Sequence, residues 1–194
     1  MERLKKHIKP GGVYRRSDLE YYSSAVDRHL NQLTDNGSLM KLSQGLYYAP
    51  RNSKFGVVPP SDHTLVERFL KDSSFLLVSP NAYNSLGLGL TQLYNTTWVY
   101  NHKRRGEFEL YGKNLLFILK SGFPAKLSRE FLLIDLLNNL DKLAEDKEQI
   151  INNFRKSIGR FNSVELGKMA RQYGSGPTKK LVREVLRKSH SAHF

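Results

Sequence analysis

Leu4 and Ile8 stand four residues apart among charged neighbours, and Val26, Leu30 and Leu33 follow the same helical spacing farther along. Such spacing gathers apolar side chains on one helix face. The first pair predicts a short amphipathic helix over residues 2–8, stopped by Pro10-Gly11-Gly12. Ser17-Asp18-Leu19-Glu20 has the form of a capping box and predicts a second short helix ending near Tyr21-Tyr22. Ser23 or Ser24 caps the third helix, which Asn36-Gly37 ends. With Val26, Leu30 and Leu33 turned inward, its outer face carries Asp27, Arg28, Asn31 and Gln32, with Ser23 and Ser24 at the N-terminal end. Residues 39–42 and 46–49 read as short strands around Ser43-Gln44-Gly45, a hairpin closed by Pro50. This order is the plan of a winged helix-turn-helix, expected over residues 1–55.

Residues 51–60 have no period and contain Gly56, Pro59 and Pro60, so they read as a linker. Ser61 caps a helix carrying Leu65, Val66, Phe69 and Leu70. Phe75–Val78 is a compact apolar run, read as a buried strand, and residues 81–86 read as one or two helical turns. Strands are expected over 96–100, 107–111 and 115–120, with turns at 101–106 and 112–114, which makes a small antiparallel sheet. Helices follow over 129–143, 146–158, 164–173 and 178–188. The third of these four is capped by Asn162 or Ser163, and the last is set off by Gly174-Ser175-Gly176 with Pro177 at its first position. The closing SHSAHF is expected to fray. The fold class is therefore α+β: an N-terminal winged helix, then a sheet-and-helix domain over residues 60–194.

Charge sharpens this picture through its placement. The net charge of +13 resolves into +5 over residues 1–59, zero over 60–154 and +8 over 155–194. Both ends suit a polyanion, and the middle is neutral. No apolar run approaches the ~20 residues that cross a bilayer. No secretory signal is expected in MERLKKHIKP, and the absence of cysteine excludes disulfides and thiolate zinc sites and fits the cytoplasm.

A helix entering a major groove needs side chains that reach base edges: Arg for guanine, Asn or Gln for adenine. The candidate DNA-binding set is Arg15, Arg16, Ser23, Ser24, Asp27, Arg28, Asn31, Gln32, Lys41 and Gln44. Arg15 and Arg16 precede the second helix, where backbone phosphates pass. Lys41 and Gln44 lie on the hairpin, whose tip suits the adjacent minor groove. Asp27 is the misfit near phosphates; it either orients Arg28 or accepts from a cytosine amine. Polar helix faces are also often simply solvated, and winged helices also serve as protein-interaction scaffolds, which gives the alternative reading of an adaptor. A second basic patch, Lys168, Arg171, Lys179, Lys180, Arg183 and Arg187, spans the last two helices. GSGPTKK lacks the spacing of a phosphate-binding Walker loop. The six histidines are scattered, and no nucleophile–base–orienter set emerges, so neither an enzyme nor a metal or cofactor is expected.

The order RRSDL, SSAVDRHLNQL and GSLMKLSQGLYYAP resembles the winged helix of AbiEi-type antitoxins, from bacterial type IV abortive-infection toxin–antitoxin pairs. The closing MARQYGSGPTKKLVREVL is similar to the end of that family's second domain. The resemblance implies a repressor that binds inverted repeats in its own promoter. It also implies a C-terminal domain that supports antitoxin function and assists DNA binding. The toxin would be a nucleotidyltransferase-like protein, counteracted without a stable complex. Arg15, Arg16, Ser24, Arg28 and Asn31 match the DNA-reading positions, and Lys179, Lys180 and Arg183 match the basic helix.

Overall fold

A computed structural model describes the backbone of residues 1–191 and the side chains of residues 1–189. The chain is mixed α+β and forms two compact units that interleave along the sequence. One is Met1–Phe75 with Lys103–Phe117; the other is Leu76–His102 with Ile118 onward. The sequence pattern instead places a single boundary between residues 55 and 60.

The first unit opens with α1 (Glu2–His7), β1 (Val13–Arg15), α2 (Arg16–Leu19), a 3-10 turn at Glu20–Tyr22 and α3 (Val26–Asp35). The expected stripe on α3 is buried: Val26, Leu30 and Leu33 pack with Leu4, Leu19, Leu39, Tyr47 and Ala49 into one core. Gly37, at φ +75°, supplies the left-handed conformation that ends α3. β2 (Met40–Ser43) and β3 (Leu46–Tyr48) form the expected hairpin. β1, not foreseen, pairs antiparallel with β3 through Val13↔Tyr48, Tyr14↔Tyr47 and Arg15↔Leu46, giving the sheet order β1-β3-β2.

The residue 51–60 linker is corrected. Arg51–Ser53 (β4) and Gly56–Val58 (β5) form a two-stranded hairpin, and the Tyr48 hydroxyl donates to the Val58 carbonyl. α4 (Asp62–Leu70) follows with Ser61 as its cap, the Ser61 hydroxyl accepting from the Thr64 N–H at 3.1 Å. The capping box expected at Ser17 is also displaced. α2 starts at Arg16, and the Asp18 carboxylate accepts from the Arg15 N–H at 3.2 Å.

After β6 (Phe75–Val78), a 3-10 segment at Pro80–Leu86 and β7 (Thr96–Asn101), the chain returns to the first unit as the antiparallel hairpin β8 (Gly106–Leu110) and β9 (Lys113–Leu119). The turn between them is Tyr111-Gly112, both at positive φ, one residue earlier than expected. In the second unit β6 neighbours β7. Four helices follow: α5 (Arg129–Asn139), α6 (Lys147–Lys156), α7 (Ser163–Tyr173) and α8 (Gly176–Ser191). α5 is shorter than expected and continues as a 3-10 turn, Leu140–Lys142. Asn162, not Ser163, caps α7, accepting from the N–H groups of Val164 and Glu165 at 3.1 and 3.0 Å. α8 includes Ser189 to Ser191, which were expected to fray; the expectation for residues 192–194 lies outside the described residues. Among the described residues no helix is long and apolar enough to cross a membrane.

Candidate functional site

Burial of Val26, Leu30 and Leu33 leaves the opposite face of α3 in solvent: Ser24, Asp27, Arg28, Asn31 and Gln32 are all exposed. Among the described residues the side chains of Arg28, Asn31 and Gln32 have no partner, so their donors and acceptors point outward. Ser23 is turned away from this face. Its hydroxyl accepts from the Ala25 N–H at 3.2 Å and lies 2.7 Å from His29 Nδ1, closing the turn that starts the helix. Desolvation, then the N-terminal amine and Arg28, hold His29 below its ordinary pKa, which favours the neutral ring.

Asp27 orients Arg16, not Arg28. The Arg16 guanidinium grips it with two parallel bonds, Nε–Oδ1 at 2.6 Å and Nη2–Oδ2 at 2.7 Å, while Nη1 reaches Glu20 at 2.7 Å. This fork geometry is the strongest form of an Arg–carboxylate contact. It holds the Asp27 carboxyl below its usual range and the Arg16 guanidinium above its own. The Arg16 N–H donates to the Gly45 carbonyl at 2.9 Å. The tip of the β2–β3 hairpin therefore sits beside the start of α2. Gly45 stands at φ +70°, a conformation an L side chain resists. Gln44 at that tip and Lys41 on β2 are exposed.

Arg15 is directed elsewhere. Its Nε and Nη2 donate to the carbonyl oxygens of Arg68 and Phe69 in the last turn of α4, satisfying groups that a helix end leaves open. Desolvation, then Arg104, holds this guanidinium below its ordinary pKa. Arg15 thus ties β1 to α4. Arg15→Met should lower stability by about 1.5–3 kcal/mol, the range for hydrogen bonds to a charged group. Urea unfolding measures it, and an unchanged midpoint would leave Arg15 without this role.

In the second unit, Lys168, Arg171, Lys179, Lys180, Arg183 and Arg187 are all exposed. Lys179, Arg183 and Arg187 follow at i, i+4 and i+8, one stripe along α8. Arg171, Lys179 and Arg183 border a small hollow of about 160 Å³ between α7 and α8, floored by Ala170 and Val182. Lys168 lies 3.6 Å from Glu165.

A polar cluster in this unit was not foreseen from the sequence. Asp135 on α5 is 0% exposed. The Tyr83 hydroxyl donates to its Oδ2 at 2.7 Å, Tyr100 Oη lies 2.9 and 2.8 Å from its two oxygens, and Lys120 Nζ lies 3.0 Å from Oδ1. The Asn139 side-chain amide donates to the Asp135 carbonyl at 2.8 Å. Burial first, then the Asp135 charge, pushes both phenols far above the ordinary tyrosine range. Lys120 and Asn139 also border a cleft of about 840 Å³ with Phe123, Phe131 and Tyr173. Every polar group of the cluster is satisfied within the protein, which makes it an internal strut. Its signal was an aspartate and two asparagines inside the apolar run FLLIDLLNNL.

Among the described residues no group of three or more His, Asp or Glu side chains is placed to hold a metal ion. No model of a known protein family matches this chain and no curated protein matches it, so the functional reading rests on the geometry of these side chains.

Proposed function

We propose that this chain is a DNA-binding transcriptional regulator whose N-terminal elements form a winged helix-turn-helix. In this reading α2 and α3 are the two helices of the motif, α3 is the recognition helix, and the β2–β3 hairpin is the wing. The observation that carries it is the outer face of α3, where Arg28, Asn31 and Gln32 stand exposed with no side-chain partner among the described residues. Arg28 suits a bidentate bond to guanine, and either amide suits adenine. The lock between Arg16 and Asp27 weakens the main objection, because the carboxylate is already paired with an arginine. Lys41 and Gln44 on the wing reach the flanking backbone and minor groove. The exposed cations of α7 and α8 add attraction for a polyanion.

The resemblance to AbiEi-type antitoxins extends the proposal. The protein acts in the cytoplasm as the antitoxin of a toxin–antitoxin pair and represses its own operon through inverted repeats in the promoter. It counteracts a nucleotidyltransferase-like toxin without a stable complex, and no catalytic step is assigned to it.

The test is a gel-shift titration of the full chain on its own promoter fragment and on a random duplex. Specific binding is expected at roughly 10⁻⁸–10⁻¹¹ M near physiological salt, weakening steeply as salt rises. Asp27→Asn should raise affinity for random DNA, because it removes a negative charge and frees Arg16 for a phosphate. Equal affinity for promoter and random DNA, or a flat salt response, would overturn the reading. Retention of a stable protein partner with no DNA bound would favour the adaptor alternative.

A further inference from the structure

Three segments distant in sequence bring cations together in the first unit. Arg15 comes from β1, Arg68 and Lys71 from the end of α4, and Lys103 and Arg104 from the turn before β8. Arg15, Arg68 and Lys71 border one open hollow of about 550 Å³ with Asp18, Glu67, Asp72 and Ser73. Lys103 is held beside it, 3.0 Å from Asp72 and donating to the Lys71 carbonyl at 3.0 Å. Arg104 stacks over Phe69 with its guanidinium carbon 4.3 Å from the ring centre. The charge of Arg104 is felt at Arg15, where it weighs against protonation. Five cations therefore share this surface with three carboxylates, and two of the three are already engaged, Asp18 with the Arg15 N–H and Asp72 with Lys103.

Lys71 carries a second, independent signal. It caps α4 in the left-handed conformation, at φ +53° and ψ +44°, which glycine adopts without strain and other residues resist. The position therefore forgoes the easier residue and keeps an amine. That amine lies 3.4 Å from the Ser17 hydroxyl, in the first turn of α2. In a helix-turn-helix the helix before the recognition helix crosses the sugar–phosphate backbone. The cluster lies where that strand would run.

We propose that Arg68 and Lys71, supported by Lys103 and Arg104, form a phosphate-backbone clamp for duplex DNA beside the start of α2. This inference rests on the DNA-binding reading above and adds contacts that carry register and affinity but no sequence information. The turn that carries Lys103 and Arg104 is then a working part of the N-terminal module, although it lies far along the chain from α4.

The decisive protein is the full chain carrying Lys71→Gly and Arg68→Gln together. Lys71→Gly relieves the left-handed strain, so the single variant should fold at least as stably as the parent while lacking the charge. Binding should weaken equally on promoter and random duplex. The slope of log K against log salt should become shallower by about 0.9 for each phosphate no longer neutralised, so by about 1.8 for the double variant. Thermal unfolding run alongside separates this from a merely structural role in capping α4, which would move the midpoint and leave the slope alone. If the parent binds DNA with a steep slope and the double variant keeps that slope, the clamp is wrong and the DNA reading stands. If the parent does not bind duplex DNA at all, both fall. Unchanged DNA binding with loss of an acidic protein partner would reassign the surface to protein docking.

Discussion

Asp135→Ala should destabilise the second unit by about 3–5 kcal/mol, the range for breaking a buried ion pair by removing one partner. The substitution leaves Lys120 without its carboxylate and strands the hydroxyls of Tyr83 and Tyr100, both in side chains with no solvent exposure. Each stranded group loses water on folding and gains nothing in return. For a chain of this length such a loss lowers the thermal midpoint by roughly 6–20 °C. Lys120→Met should be milder, because Lys120 is partly exposed and the two phenols remain on the carboxylate. Asp135→Leu with Lys120→Met should recover part of the deficit, since an apolar pair of similar volume replaces a buried ion pair at little cost. Urea unfolding of the three variants supplies the comparison. A loss under about 1 kcal/mol for Asp135→Ala, no more than an ordinary hydrogen bond contributes, would mean that water reaches the carboxylate and the cluster is no strut.

The same cluster fixes the sign of a pH response. The folded-state pKa of both phenols lies above that of a free tyrosine, about 10. Their contribution is therefore fully present below pH 10 and declines as pH rises above it, because only the unfolded chain can release those protons. Each contributes a slope of about 1.4 kcal/mol per pH unit. Tyr83→Phe should flatten the alkaline limb of the stability curve by one such increment while weakening the cluster at neutral pH.

What was legible in the sequence is what local periodicity encodes. The spacing of Val26, Leu30 and Leu33 located α3 and named the side chains left in solvent, and Ser61 and Ser128 each cap the helix that follows them. Nonlocal features escaped. β1 is three residues long and is a strand only because β3 lies beside it. The β4–β5 hairpin has no buried face, so its apolar positions do not alternate and it resembled a linker. α5 is buried on nearly every side, which hid Asp135 among leucines instead of marking it as misplaced on a face. The destinations of Arg15 and Arg16 could not be read from adjacency: one reaches the end of α4, the other α3. The turn at residues 101–106 was recognisable as a turn, but the place of residues 103–106 in the first unit follows from packing alone.

Arg28→Ala and Asn31→Ala should each weaken binding to the promoter repeat by about 1–3 kcal/mol, or roughly 5- to 150-fold, with no change in stability beyond about 0.5 kcal/mol. Both side chains are exposed and, among the described residues, unpartnered, so truncating them disturbs nothing inside the folded protein. The two differ on random DNA. Asn31→Ala removes no charge and should leave random binding unchanged, whereas Arg28→Ala should weaken it a little, because an arginine also attracts phosphates. Discrimination should vanish at one base pair for each variant, a guanine for Arg28 and an adenine for Asn31, because those are the edges each side chain pairs with in two bonds. The residues lie three apart on one helix face, close enough to couple, so the double variant should depart from the sum of the singles. A binding-site selection with each variant reads out the position and the base. Equal weakening on promoter and random duplex would make Arg28 a phosphate contact, and no effect of Asn31→Ala on either would remove α3 from the groove. The Arg16–Asp27 lock gives this face its polarity: with the carboxylate fixed to its own arginine, the groups free to question a base are Arg28, Asn31 and Gln32, and the specificity of the protein should follow those three.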